Sequence, residues 1–147
     1  MTDEHMRPEQ NHADSPDRRR VSLSDALDAV ARQVIGAAIE VHRELGPGLL
    51  ESVYKICLAH ELRRRGLSVA CEQGMPIVYR GETLDTGFRV DLVVEDRVLV
   101  EVKAVRELSP IFVAQTLTYL KFSGNRLALL INFNVERLKD GIRRLAR

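Results

Sequence analysis

The sequence predicts an α/β domain, a mixed β-sheet with helices packed against it. Three observations carry that reading. Apolar residues from Leu27 to Leu45 recur at three- and four-residue steps, the period of a helix. From about Leu67 the period shortens to two, in short runs bounded by Gly, Pro and Asp, as strands require. Strand, helix and strand patterns then alternate between residues 98 and 132. Such a unit gives a parallel pair with a right-handed crossover.

Residues 1–21 are polar and contain Pro8 and Pro16 without periodicity; they are expected to form a disordered tail. A single domain is expected over 22–147. Ser22 offers an N-cap, and Ser22-x-x-Asp25 resembles a capping box. Leu27, Val30, Val34, Ala38, Val41 and Leu45 form one stripe of the first helix, which Gly46-Pro47-Gly48 stops. A second helix is predicted from Leu49 to Arg65, with Val53, Ile56, Cys57 and Leu62 facing inward and Gly66 at its end. Leu67 to Cys71 reads as a strand, and Met75 to Tyr79 as another that turns at Arg80-Gly81-Glu82. Phe88–Val94 and Val98–Val102 are the central strands. Ser109 caps a third helix with Pro110 at its first position, and Gly124 ends it. Leu127–Asn132 reads as a buried strand. Glu136 to Arg147 is predicted to close the chain as an amphipathic helix.

The totals bound the class. The 147 residues suffice for one core, and 45% apolar with 29% charged residues is ordinary for a globular domain. No apolar run approaches the ~20 residues of a membrane helix, and the N-terminal stretch lacks the apolar region of a secretory signal. A cytoplasmic protein without membrane contact is expected. Cys57 and Cys71 are not spaced as a metal knuckle and read as packing residues. The net charge of +1 selects no partner. Clusters at Arg63-Arg64-Arg65 and from Arg137 to Arg147 suit phosphates, or a solvated helix face equally well.

Chemistry concentrates in DLVVEDRVLVEVK, Asp91 to Lys103. Residues two apart in a strand share a face, so Glu101 and Lys103 point one way and Val100 and Val102 the other. If Glu95-Asp96-Arg97 is a hairpin loop, Val94 pairs with Val98 and Asp91 falls opposite Glu101. Opposed carboxylates repel, and a divalent cation reverses that sign. Mg²⁺ takes oxygen ligands and is often held by one or two carboxylates plus substrate phosphates. A surface charge patch, with Lys103 pairing Glu101 on a wet face, accounts for the same residues without a metal. Two further segments bear on the choice. Gly48-Leu-Leu-Glu51-Ser-Val-Tyr54 opens the second helix, where Glu51 either satisfies the free N–H groups or supplies a third carboxylate. Gln115 and Tyr119 share a face of the third helix, suited to a phosphate or a base. His42, near the end of the first helix, either approaches Glu51 and acts on a proton or complements the helix dipole.

GLLESVY resembles the signature of the GxxExxY proteins, small bacterial domains. Similar text recurs in order as IGAAIEVHRELGPGLLESVY, FRVDLVVEDRVLVEVKAV, AQTLTYLKFSG and LALLINFNVERLKDGIRR. The resemblance covers roughly residues 24 to 146, and that family looks like a branch of the PD-(D/E)xK nuclease superfamily. It implies a restriction-endonuclease-like core and metal-dependent hydrolysis of nucleic-acid phosphodiesters, DNA favoured over RNA. Asp91, Glu101 and the Val102 carbonyl would hold Mg²⁺, or Mn²⁺ in its place, with Glu51 completing the site. Lys103 would orient the attacking water, and Gln115, Tyr119, Tyr54 and His42 would serve the substrate. Two positions depart from the pattern: Val90 stands where the superfamily has Pro, and Phe112 where a His is common. The rival expectation is a catalytically silent nucleic-acid- or protein-binding module on the same fold. Apolar edge strands leave room for a homodimer.

Overall fold

The structure is a computed structural model and describes residues 22–147, so the predicted tail over 1–21 lies outside the described residues. Helix α1 spans Leu23–Leu45 and α2 Glu51–Arg64. Strands β1 (Val69–Gly74), β2 (Ile77–Tyr79), β3 (Glu82–Leu84), β4 (Arg89–Val94) and β5 (Val98–Lys103) follow. Helix α3 (Pro110–Ser123) leads to β6 (Leu127–Asn132), a 3₁₀ turn at Leu138–Gly141 and β7 (Ile142–Ala146). Five strands make one sheet in the order β1-β4-β5-β6-β7, while β2 and β3 form a separate ribbon. The β5–β6 pair is parallel, as the strand–helix–strand pattern predicts, and the other pairs are antiparallel.

The local signals act where the sequence places them. The Ser22 hydroxyl accepts the Asp25 N–H at 3.1 Å, and Ser109 caps α3 ahead of Pro110. Arg80 and Gly81 both have positive φ, 49° and 80°, the two-residue turn that suits a twisted hairpin. Val94 pairs with Val98 across the Glu95-Asp96-Arg97 loop, in the expected register.

Helices α1 and α2 cover one face of the sheet. Val34, Ala38, Val41, Tyr54, Leu58 and Leu62 meet Leu92, Val94, Val98, Val100 and Val102 there. The other face is thinner: Val93, Leu99 and Ala128 pack under Leu120, with Tyr119 and Phe122 at the margin. The sheet is thus flanked on both faces, with the strictly alternating β5 sending its valines one way and Leu99 the other.

Three expectations need correction. In α2, Tyr54, Leu58, Ala59 and Leu62 form the inward stripe, whereas Ile56 is 69% exposed. Tyr54 rotates the helix this way by stacking on Phe133, with ring centroids 4.7 Å apart. The first strand lies later than predicted, ending at Gly74 rather than Cys71. The third correction concerns the C-terminus, where Glu136–Arg147 is not a helix. Strand β6 is buried along its whole length, and its free edge would strand a row of backbone donors and acceptors. Strand β7 satisfies them by pairing Ala128 with Leu145 and Ile131 with Ile142. Gly141 permits the turn, since a Cβ there would lie 2.2 Å from the Asn132 carbonyl oxygen.

Candidate active site

Asp91 and Glu101 sit on the neighbouring central strands β4 and β5, 9% and 4% exposed. The backbone ladder between these strands runs from Val94–Val98 to Leu92–Val100. At the next position the side chains take over. The Asp91 N–H donates to Glu101 Oε1 at 3.0 Å, and the Val102 N–H donates to Asp91 Oδ2 at 2.8 Å. Each carboxylate thus satisfies a backbone donor that the ladder leaves free. The second oxygen of each takes no part in these two bonds. Burial pushes the Glu101 carboxyl up to about 8, and the Asp91 charge adds to the rise, against a backbone hydrogen bond from Asp91 and the Lys103 charge. Two buried carboxylates this close are costly as anions.

Lys103 lies on the same face of β5 as Glu101, with its Nζ 4.8 Å from the Phe112 ring centroid. No ion pair joins it to Glu101 among the described residues, so the wet charge-patch arrangement is not what the strands form. Tyr119 stands on α3 close to both carboxylates: burial raises its pKa to about 12, and Glu101 and Asp91 contribute in turn. Its ring meets Phe88 edge-on at 4.2 Å. Gln115 is exposed one turn earlier on the same helix. Asn132, paired in register with Lys103, holds the chain beyond it: its amide accepts from the Val105 N–H at 3.0 Å and donates to the Val105 carbonyl at 2.9 Å.

Other predicted residues are placed differently. Glu51 opens α2 half-buried, and no group of three His, Cys, Asp or Glu side chains arranged to hold a metal occurs among the described residues. Tyr54 is fully buried; its hydroxyl donates to the Gly46 carbonyl at 2.6 Å and accepts the Leu49 N–H at 3.1 Å. It fixes the Gly-Pro-Gly turn rather than facing solvent. His42 Nε2 donates to the Val135 carbonyl at 2.7 Å, which ties α1 to the segment after β6. The arginine cluster is also engaged internally, Arg63 with the Val69 carbonyl and Arg65 with Glu61. Cys57 and Cys71 are free thiols.

Sequence reasoning missed Lys55. It reaches from α2 to Glu72, with which it forms an ion pair, and its Nζ lies 3.6 Å from Asp91 Oδ1. The hydrogen bond to Glu72 raises its pKa, burial opposes the rise, and Asp91 adds to it. The available signal was spacing: Glu51 and Lys55 are four apart and share a helix face.

A mixed sheet flanked by helices, with an Asp on one central strand and Glu-x-Lys on the next, has the architecture of a nuclease-type α/β domain. A profile for the PD-(D/E)XK nuclease superfamily matches residues 28–145, and the chain belongs to that superfamily. Searches of curated proteins and of solved structures returned no match. No helix among the described residues is long and apolar enough to cross a membrane.

Superfamily membership implies a divalent metal. Asp91, Glu101 and the Val102 carbonyl would offer it hard oxygen donors at adjacent positions, a donor type that Mg²⁺ accepts alongside water and phosphate oxygens.

Proposed function

We propose that this protein is a metal-dependent nuclease of the GxxExxY type that hydrolyses phosphodiester bonds, with DNA favoured over RNA. One observation carries the reading: Asp91 and Glu101 lie side by side, each bonded to a backbone N–H of the other's neighbourhood, while Lys103, on the same face of β5 as Glu101, is in no ion pair among the described residues. Ordinary strands have no reason to bury two carboxyl groups against one another.

Asp91, Glu101 and the Val102 carbonyl would hold Mg²⁺ or Mn²⁺. The cation, when bound, lowers the pKa of a water and polarises a phosphoryl oxygen. Lys103 orients the attacking water and stabilises charge on the phosphoryl group. Tyr119, protonated at neutral pH, donates a hydrogen bond to the phosphate, and Gln115 contacts the strand beyond it. Tyr54 and His42 act at one remove, by holding the turn and helix end that present Glu51.

The experiment is cleavage of single- and double-stranded DNA and RNA with Mg²⁺, Mn²⁺ or EDTA, comparing the protein with Asp91→Asn and Lys103→Ala. Metal-dependent cleavage that both variants lose supports the reading. Equal cleavage by all three proteins, or none by any with no metal bound, sinks it. The second reading, a silent binding module, draws on the absence of a third metal-holding side chain among the described residues; it predicts nucleic-acid retention without cleavage.

A further inference from the structure

Glu72 is the irregular residue of β1. Its φ is 51°, in the left-handed region that a non-glycine residue enters only at a steric cost. The β1–β4 register pairs Cys71 with Leu92 and Gln73 with Val90, and skips Glu72 and Asp91 between them. The irregularity therefore falls beside Asp91. It is also where the Glu72 carboxylate takes up Lys55, whose ammonium faces Asp91 Oδ1 at 3.6 Å. Strain of this kind persists where the surroundings over-determine it, and it clusters at functional sites.

We propose that Lys55 is a resident counter-ion of the carboxylate site: held between Asp91 and Glu72, it competes with the divalent cation for Asp91, and Glu72 sets the strength of that competition. The inference rests on the nuclease reading of the Asp91–Glu101 pair. Its reasoning is geometric. The Lys55 ammonium already stands on the Oδ1 side of Asp91 at 3.6 Å, so a cation held by Asp91 would bring a second positive charge close to it. Like charges so close repel, so a metal on Asp91 competes with the Lys55–Asp91 contact, while the ion pair with Glu72 keeps Lys55 in place. Lys55 is thus a positioning residue that acts through Asp91. It distinguishes the two lysines of the site: Lys103, beside Glu101, faces the Phe112 ring, and no ion pair engages it among the described residues.

The test is Mn²⁺ titration by calorimetry on the full chain, without nucleic acid. Lys55→Met is expected to bind Mn²⁺ about tenfold more tightly than the unmodified protein. Glu72→Gln, which leaves Lys55 to Asp91 alone, is expected to bind it several-fold more weakly. In the double variant the Glu72 change is expected to have no further effect, since it acts through Lys55. Lys55→Gln serves as a second uncharged variant should Met fail to fold by circular dichroism. Mn²⁺ affinity unchanged or weakened in both uncharged variants overturns the inference and leaves the nuclease reading standing. A Glu72 effect that persists in the Lys55→Met background also overturns it, because Glu72 then acts on its own. Absence of Mn²⁺ binding in the unmodified protein and every variant overturns both readings. Binding that first emerges in Lys55→Met supports the counter-ion.

Discussion

The two ends of the β4–β5 pair are built on opposite principles. At the hairpin end Val94, Leu92, Val98 and Val100 are fully enclosed, and backbone hydrogen bonds join the strands in regular register. At the open end the ladder stops, and Asp91 and Glu101 take the backbone donors instead. The first end contributes apolar burial, about 25 cal/mol per Å². The second spends some of that stability on two enclosed carboxylates. The contrast shows how one hairpin serves both purposes: the apolar end fixes the register, and the register places the two acids opposite one another. A one-residue slip would send every side chain to the other face.

The comparison breaks most visibly if the ends are not separable. Asp91→Asn keeps an oxygen to accept the Val102 N–H but removes a charge. Metal-dependent cleavage is expected to fall by about 10³-fold, in the range of losing a group that stabilises transition-state charge, with the urea midpoint unchanged or raised. A large drop in that midpoint would show that the open end is structural. Leu92→Ala is the complement. It removes an enclosed side chain from the apolar end, and the expected loss is about 2–5 kcal/mol of stability, read by urea unfolding. Mn²⁺ affinity measured on the remaining folded protein should hold.

How much of this was legible beforehand differs along the same lines. The hairpin register, and with it the Asp91–Glu101 pairing, followed from counting back from the Glu95-Asp96-Arg97 loop, because period-2 alternation leaves little choice. The caps at Ser22 and Ser109 were equally readable, being local chemistry. The C-terminal strand was not. Leu138, Ile142 and Leu145 fit a helical stripe, and only the empty edge of β6, a tertiary fact, turns them into β7. Lys55 was hidden for a related reason. Its role depends on β1 bending at Glu72, and nothing in VACEQG announces a left-handed residue. Tyr54 shows the converse: a signature residue expected at the substrate proves to be enclosed, stacked on Phe133 and bonded to the turn before its own helix.

A smaller effect sharpens the comparison through pH. Glu101 is raised from its ordinary value to about 8, chiefly by burial. The folded protein therefore binds a proton that the unfolded chain has released above its ordinary carboxyl value. This contribution to stability is fully present below about pH 4.5 and is lost as pH rises through about 8. In EDTA the urea midpoint is expected to decline between pH 5 and 8, and the decline should shrink in Glu101→Gln. An identical slope in the two proteins would mean that Glu101 is not the group responsible. Leu99→Met, an apolar swap at the hairpin end, should leave the slope as it is.

The smallest expected effect belongs to Phe112. Its ring lies under the Lys103 ammonium at 4.8 Å, and Thr116, one turn on, bonds its hydroxyl to the Phe112 carbonyl at 2.8 Å. A cation over an aromatic face is worth about 0.5–1 kcal/mol at an exposed site. Phe112→Leu keeps the apolar bulk and loses the face, so kcat is expected to fall about two- to fivefold while the KM for the nucleic acid cleaved holds. Phe112→Tyr should restore it. Should Leu and Tyr behave alike, the ring is only filling space, and the orientation of Lys103 comes from the backbone alone, through the Asn132 amide that clamps Val105. In that case Asn132→Ala, which removes the clamp, becomes the substitution that moves kcat.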